Sequence, residues 1–254
     1  MKFNAVYVIV AREFKKFIRE RSRLISTLAR PLVWLFLVGA GLSRLVRPVE
    51  GVSYTQFMFP GILGMTMLFA SIFSSISIIW DKEFGFMKEI LVAPISRLSI
   101  VLGKALSGTI VSSIQALIIL LFFPLIGLRL GIFEVVEVAL ICVMVSFCIS
   151  AFGIVLATFY ESYESFSVIM NFIVMPMFFL SGAMYPIKLL PEVLRLVAMV
   201  NPLTYGIDAL KHIVSPLETG PMGPDFPLIA DISVIAFLST AFVLLGARFF
   251  ERKG

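Results

Sequence analysis

Asp81-Lys82-Glu83-Phe84-Gly85-Phe86-Met87-Lys88-Glu89-Ile90-Leu91-Val92-Ala93-Pro94-Ile95-Ser96-Arg97 is a compact charged segment between two long apolar runs, Phe57 to Trp80 and about Gly103 to Leu128. Each run is long enough to cross a hydrocarbon core, which takes about 20 apolar residues. The segment therefore reads as a loop held at a membrane surface. Working outward, four further runs reach similar length: Leu24 to Val46, Val138 to Tyr160, Phe166 to Tyr185 and Leu228 to Ala247. The reading is an all-α polytopic membrane protein with six spans and a single domain over 1–254. An interfacial segment (1–23) precedes the six-span core (24–247), and a short tail (248–254) follows.

Composition agrees. Of 254 residues, 59% are hydrophobic and 15% charged, against about 25% charged in ordinary soluble domains. Eight of the 21 Lys and Arg lie in the first 30 residues: Lys2, Arg12, Lys15, Lys16, Arg19, Arg21, Arg23 and Arg30. Within that stretch Val6, Val10, Phe14, Phe17 and Ile18 recur at helical spacing, the pattern of an amphipathic helix lying in the interface. Anionic head groups account for its basic face better than nucleic acid does. The length of this basic region argues against a cleavable signal peptide. Placing the N-terminus in the cytoplasm puts 15 Lys and Arg inside against six outside, so the charge asymmetry favours both termini inside.

Between the fifth and sixth runs, Leu190-Pro191 and Asn201-Pro202 each read as a helix start. Two short amphipathic helices there predict a re-entrant hairpin on the outer side. The second carries Leu203, Ile207, Leu210 and Ile213 on one face and Thr204, Asp208 and Lys211 on the other. A Pro- and Gly-rich loop from Ser215 to Pro227 follows.

The spans lack the groups that drive chemistry. Asp231 is the only carboxylate within one, near its outer end, whereas proton-coupled carriers carry titratable groups at depth. No HExxH and no GxxxxGK[ST] phosphate loop occurs. Cys142 and Cys148 are six residues apart in one apolar run, pointing in different directions, so a disulfide between them is not expected. No metal site is expected either, since His212 is the only histidine. Polar residues in the spans are mild, among them Ser71, Ser74, Ser75, Ser77, Gln115, Ser167 and Asn171. Ser71, Ser74, Ser75, Asn171 and Phe178 are candidates for an amphipathic passage, against the ordinary reading as helix-packing residues.

In the charged loop, Asp81 can cap a short helix, Pro94 stops it, and Ser96 can cap the next span. Phe84, Phe86 and Met87 either form a docking knob for a soluble partner or dip into the bilayer. Periodicity does not separate the two.

Several motifs in order now resemble one family, the permease subunits of ABC-2 type ABC transporters. They are Phe59-Pro60-Gly61, the run from Asp81 to Arg97 with Gly103-Lys104, Phe179-Leu180-Ser181-Gly182-Ala183-Met184-Tyr185-Pro186, Leu190-Pro191, and Asn201-Pro202-Leu203-Thr204-Tyr205. The resemblance implies a permease dimer in the cytoplasmic (inner) membrane above two soluble ATPase subunits, which bind ATP and Mg, with no cofactor on this chain. It implies that Asp81, Lys82, Glu83, Phe84, Gly85, Phe86, Met87, Lys88 and Glu89 form a coupling helix seated in the ATPase. Pro186, Pro191, Asn201, Pro202 and Tyr205 would belong to an external gate. The implied cargo is an amphipathic drug, lipid or lipid-linked glycan. A non-transporting membrane anchor and an ion-coupled carrier are the alternatives.

Overall fold

A computed structural model describes residues 3–43, 48, 51–92, 94–215 and 222–252. The expected end of the first span at Val46, the external Arg44 and Arg47, and the middle of the loop after Ser215 lie outside these residues. So does the side chain of Lys88.

The chain is all-helical. Among the described residues five helices are long and apolar enough to cross a membrane, and the expected fifth span is a shorter apolar helix. The amphipathic N-terminal segment is α1 (Phe3–Arg19). The first span begins as α2 (Arg21–Val33), loosens into a π-helical stretch at Trp34–Gly39 and ends as α3 (Ala40–Ser43). The second, α4 (Tyr54–Glu83), overruns its expected ends at both sides. Ser53 and Gln56 close a reciprocal capping box at its start. At its other end Gly85 takes the left-handed conformation (φ +80°) that stops a helix.

The short loop helix is α5 (Phe86–Val92), and α6 (Arg97–Leu120) opens on the Ser96 side chain, which accepts from the Ser99 backbone N–H at 3.3 Å. This helix stops eight residues before the expected Leu128, where the chain turns through a 3-10 segment, Phe123–Ile126, containing Pro124. The fourth span, α7 (Ile132–Phe159), begins earlier than expected. The fifth is α8 (Tyr163–Ile169), a π-helical Met170–Val174 and α9 (Met175–Phe179). Its 17 helical residues cover about 26 Å at 1.5 Å per residue.

Helices α4, α6 and α7 pack on one another and form the centre of the bundle. Packing here needs no side chains at several crossings. Ser75 meets Gly153, and a Cβ on Gly64 would lie 2.6 Å from Ile207. Small residues allow such close approach where lipid supplies no hydrophobic force between helices.

The pair α10 (Glu192–Val200) and α11 (Pro202–Val214) bends by 88°. Asn201 sits in the bend, caps α11 through the Leu203 N–H at 3.0 Å and donates to the Met177 carbonyl at 2.6 Å. From there α11 packs against α4, α7 and α12, and its end reaches the start of α12 (Leu228–Arg252), where His212 approaches Asp231. The end of α11 thus lies beside the start of α12, with α10 and α11 meeting at Asn201 as the paired Pro signals predict. Its polar face does not meet solvent: Thr204, Asp208 and Lys211 are all buried. Thr204 is satisfied by the Ala198 carbonyl at 2.7 Å and Asp208 by two backbone N–H groups.

Candidate functional site

The charged loop divides into a buried base and an exposed tip. Asp81, expected to cap the short helix, lies instead inside the last turn of α4, where Lys104 of α6 donates to it at 2.6 Å and Arg12 of α1 at 2.9 Å. Lys104 also donates to Glu13 at 2.7 Å and to the Ser77 hydroxyl at 3.1 Å, and Arg12 reaches Glu13 at 3.0 Å. This four-residue network ties α1, α4 and α6 together. Beside it, Lys82 donates to the carbonyls of Ala157, Thr158 and Tyr160 at 2.8, 3.1 and 3.0 Å. These acceptors lie at the C-terminus of α7, where a cation is favoured by the helix dipole.

The tip is different. Phe84 is 70% exposed, Phe86 52% and Val92 86%, and Glu83, Gly85 and Glu89 are exposed with them. Met87 turns inward, 5% exposed, and anchors the loop helix to the bundle. Aromatic side chains flanked by charge on a fixed base have the composition of a binding hot spot.

Glu13 was hidden from sequence reading by the basic residues around it. The packing of α1 on α6 buries it along with Val6 and Phe17, so α1 is a structural part of the bundle as well as an interfacial helix. Burial alone raises the Glu13 carboxyl. Lys104, and after it Arg12, outweigh that and hold the carboxyl below its ordinary value. A depressed carboxyl contributes stability that is complete above the unfolded value of about 4.3 and is lost as pH falls through the folded one. The thermal midpoint of the detergent-solubilised chain should therefore drop on acidification through this range, and Glu13→Gln should flatten that drop. An identical slope in the variant would remove Glu13 from the account.

A groove lies between the first span, α4 and the fifth span. It is lined by Arg30, Phe69, Phe73, Ser167, Asn171 and Met175, with an open volume of about 560 Å³. It continues along Ser26, Thr27 and Pro31. The Arg30 guanidinium stacks over the Phe69 ring, 4.7 Å from its centre, a cation–π geometry. Since Phe69 is halfway along α4, the exposed Arg30 stands beside the middle of that helix. Sequence position near a span end concealed this.

Of the proposed passage residues, Asn171 lines the groove and Ser74 a smaller cleft beside Glu13 and Ser77. Ser71, Ser75 and Phe178 are buried in the core, with Ser71 donating to the Ser146 carbonyl at 3.3 Å and Ser75 to the Ser71 carbonyl at 3.3 Å. Cys142 and Cys148 are both free and buried.

At the opposite end, Pro186 and Pro202 are buried and Pro191 exposed. Tyr54 at the start of α4 donates to the Met184 carbonyl at 3.0 Å, and Tyr205 to the Met199 carbonyl at 2.7 Å. The gate candidates therefore sit together around the bent α10–α11 pair.

Residues 4–214 match the model of the ABC-2 type transporter family. The chain belongs to this family. It is 33% identical over 214 residues to the transport permease ycf38 of Cyanophora paradoxa, covering 83% of this chain and 74% of the relative. It is 27% identical over 232 residues to nodulation protein J of Rhizobium meliloti, covering 86% and 84%. To the inner membrane transport permease YadH of Escherichia coli K12 it is 25% identical over 251 residues, covering 95% and 92%. This ABC-2 chain is thus a multi-pass transport permease, a membrane subunit rather than an enzyme.

Proposed function

We propose that this permease couples a separate ATPase to export. The soluble subunit would seat the tip formed by Glu83, Phe84, Gly85, Phe86 and Glu89, leaving Asp81 and Lys82 to fix the tip to the bundle. The carrying observation is the contrast between that exposed aromatic tip and its ion-paired base: a push on Phe84 or Phe86 is delivered directly to α4, α6, α7 and α1. ATP and Mg would be bound by the ATPase. Both termini and this loop would face the cytoplasm of the inner membrane, in line with the charge asymmetry.

A second permease chain completes the proposed pathway. The groove beside Arg30 is open on one side, and a second subunit would close it. Arg30 over Phe69, with Ser167 and Asn171, suits a cargo with an apolar body and an anionic or polar head, such as a drug, lipid or lipid-linked glycan. The hairpin holding Pro186, Pro191, Asn201, Pro202 and Tyr205 would act as the external gate.

The test is Phe84→Ala with Phe86→Ala in the complex reconstituted in proteoliposomes. Both side chains are exposed, so insertion and thermal midpoint should stay as in the wild type. ATP-dependent flux and retention of the ATPase should fall at least about tenfold, as loss of hot-spot aromatics costs ~2 kcal/mol or more. Full flux in the double variant would refute the docking role.

A further inference from the structure

At the hairpin end of the bundle, three elements bring carboxylates and the single histidine together. Asp208 and His212 come from α11, Asp225 from the segment at 222–227 and Asp231 from the first turn of α12. Ligand atoms of Asp208, His212 and Asp231 all lie within 4.8 Å of one another. Tetrahedral zinc ligands at about 2.1 Å from the ion are ~3.4 Å apart, so the three ligand atoms would have to draw together by up to about 1.4 Å around a cation.

Asp231 is the independent observation. It is fully buried, and among the described residues neither of its carboxylate oxygens has a hydrogen-bond partner. His212 Nε2 stands 3.7 Å from Asp231 Oδ2, beyond hydrogen-bonding reach. An ionised carboxylate in such a place is costly unless a cation or proton meets it. Asp208 by contrast is oriented, accepting from the Asp225 N–H at 2.8 Å and the Phe226 N–H at 2.8 Å.

Charge points the same way. The buried side chains Asp208, Asp225, Asp231 and Lys211 sum to −2 with His212 neutral. Lys211 is engaged by Asp225 at 3.4 Å and Asp208 at 3.7 Å, and the half-exposed Lys188 reaches Asp225 at 3.8 Å. One divalent ion would balance the buried set. His212 Nε2 donates to the Phe226 carbonyl at 2.8 Å, and that proton has to leave before Nε2 can bind a cation.

We propose that Asp208, His212 and Asp231 bind one divalent first-row cation of the Zn²⁺ or Mn²⁺ type, pinning α11 to α12. An imidazole with carboxylate oxygens suits these ions better than Mg²⁺ or Ca²⁺, which take oxygen ligands. The site does not depend on the transport reading.

The full chain, purified in detergent without a polyhistidine tag and stripped with EDTA, is titrated with ZnCl₂ by calorimetry and with MnCl₂ by electron paramagnetic resonance. Saturable binding of one equivalent is expected, with a thermal midpoint that rises in ZnCl₂ and falls back with EDTA. Asp231→Asn and His212→Gln should each weaken binding at least about tenfold, as loss of lesser supporting contacts already does at metal sites. Should Asp231→Asn fail to fold, His212→Gln, at a partly exposed ring, decides alone. Absence of saturable binding, or equal binding by wild type and His212→Gln, overturns the proposal. So does a midpoint that follows pH but ignores ZnCl₂, which would mark a simple imidazolium–carboxylate pair.

Discussion

Lys104→Met should destabilise the folded chain by roughly 3–5 kcal/mol, the expected cost of removing one partner from a buried ion network. The ammonium is the hub: it donates to Glu13, Asp81 and Ser77 from a side chain only 5% exposed. Without it, two buried carboxylates remain against Arg12, which is half exposed. The observable is a steep fall in thermal midpoint and in monodisperse yield after solubilisation. The physical cause can be isolated by adding Glu13→Gln and Asp81→Asn to Lys104→Met. Neutral, similarly shaped partners no longer carry uncompensated charge, and most of the lost stability should return. A triple variant no more stable than the single one would mean that Lys104 acts through packing rather than charge. The network also bears on coupling, because it joins α1 and α6 to the last turn of α4, directly beneath the exposed aromatic tip.

Gly61→Ala should be the next largest effect, at about 1–3 kcal/mol or more for an over-packed core position. A Cβ at Gly61 would sit 2.5 Å from the Ala183 carbonyl oxygen and 2.7 Å from its Cα. Both are backbone atoms, so no side chain can swing aside, and α4 would have to move away from the segment that leads into the hairpin. The neighbouring Gly64 offers a graded comparison: Gly64→Ala meets only the flexible end of Ile207 and a more distant Leu203, and should cost less. Gly41→Ala meets nothing within 4 Å and should be silent in a thermal melt. Equal midpoints for the Gly61 and Gly41 variants would show that α4 and the Ala183 backbone are not held together.

The helical content of this protein was legible because the bilayer imposes a length rule and forces each backbone segment to satisfy its own hydrogen bonds. Caps were readable for the same local reason. Ser96 opens α6, and the two Pro signals place α10 and α11, since each acts within a few residues. Ends set by packing were less readable. The helix α4 runs to Glu83 rather than Trp80, because Asp81 is drawn inward by Lys104 and Lys82 by the carbonyls at the end of α7.

Contacts between distant segments decided the rest. In the sequence, Glu13 is one acid among many bases, Arg30 a residue near a span end, and Asp208 part of an exposed-looking helical face. Only the packing of α1 on α6 buries Glu13 against Lys104, 91 positions away. Only the crossing of the first span over α4 brings Arg30 to Phe69, and only the packing of α11 on α12 sets His212 beside Asp231. By itself the sequence determined which segments are helices and where many of them begin, because hydropathy and caps act over a few bonds. The tertiary structure decided which polar groups are buried, paired or presented, because that depends on charge meeting charge across segments that no local pattern links.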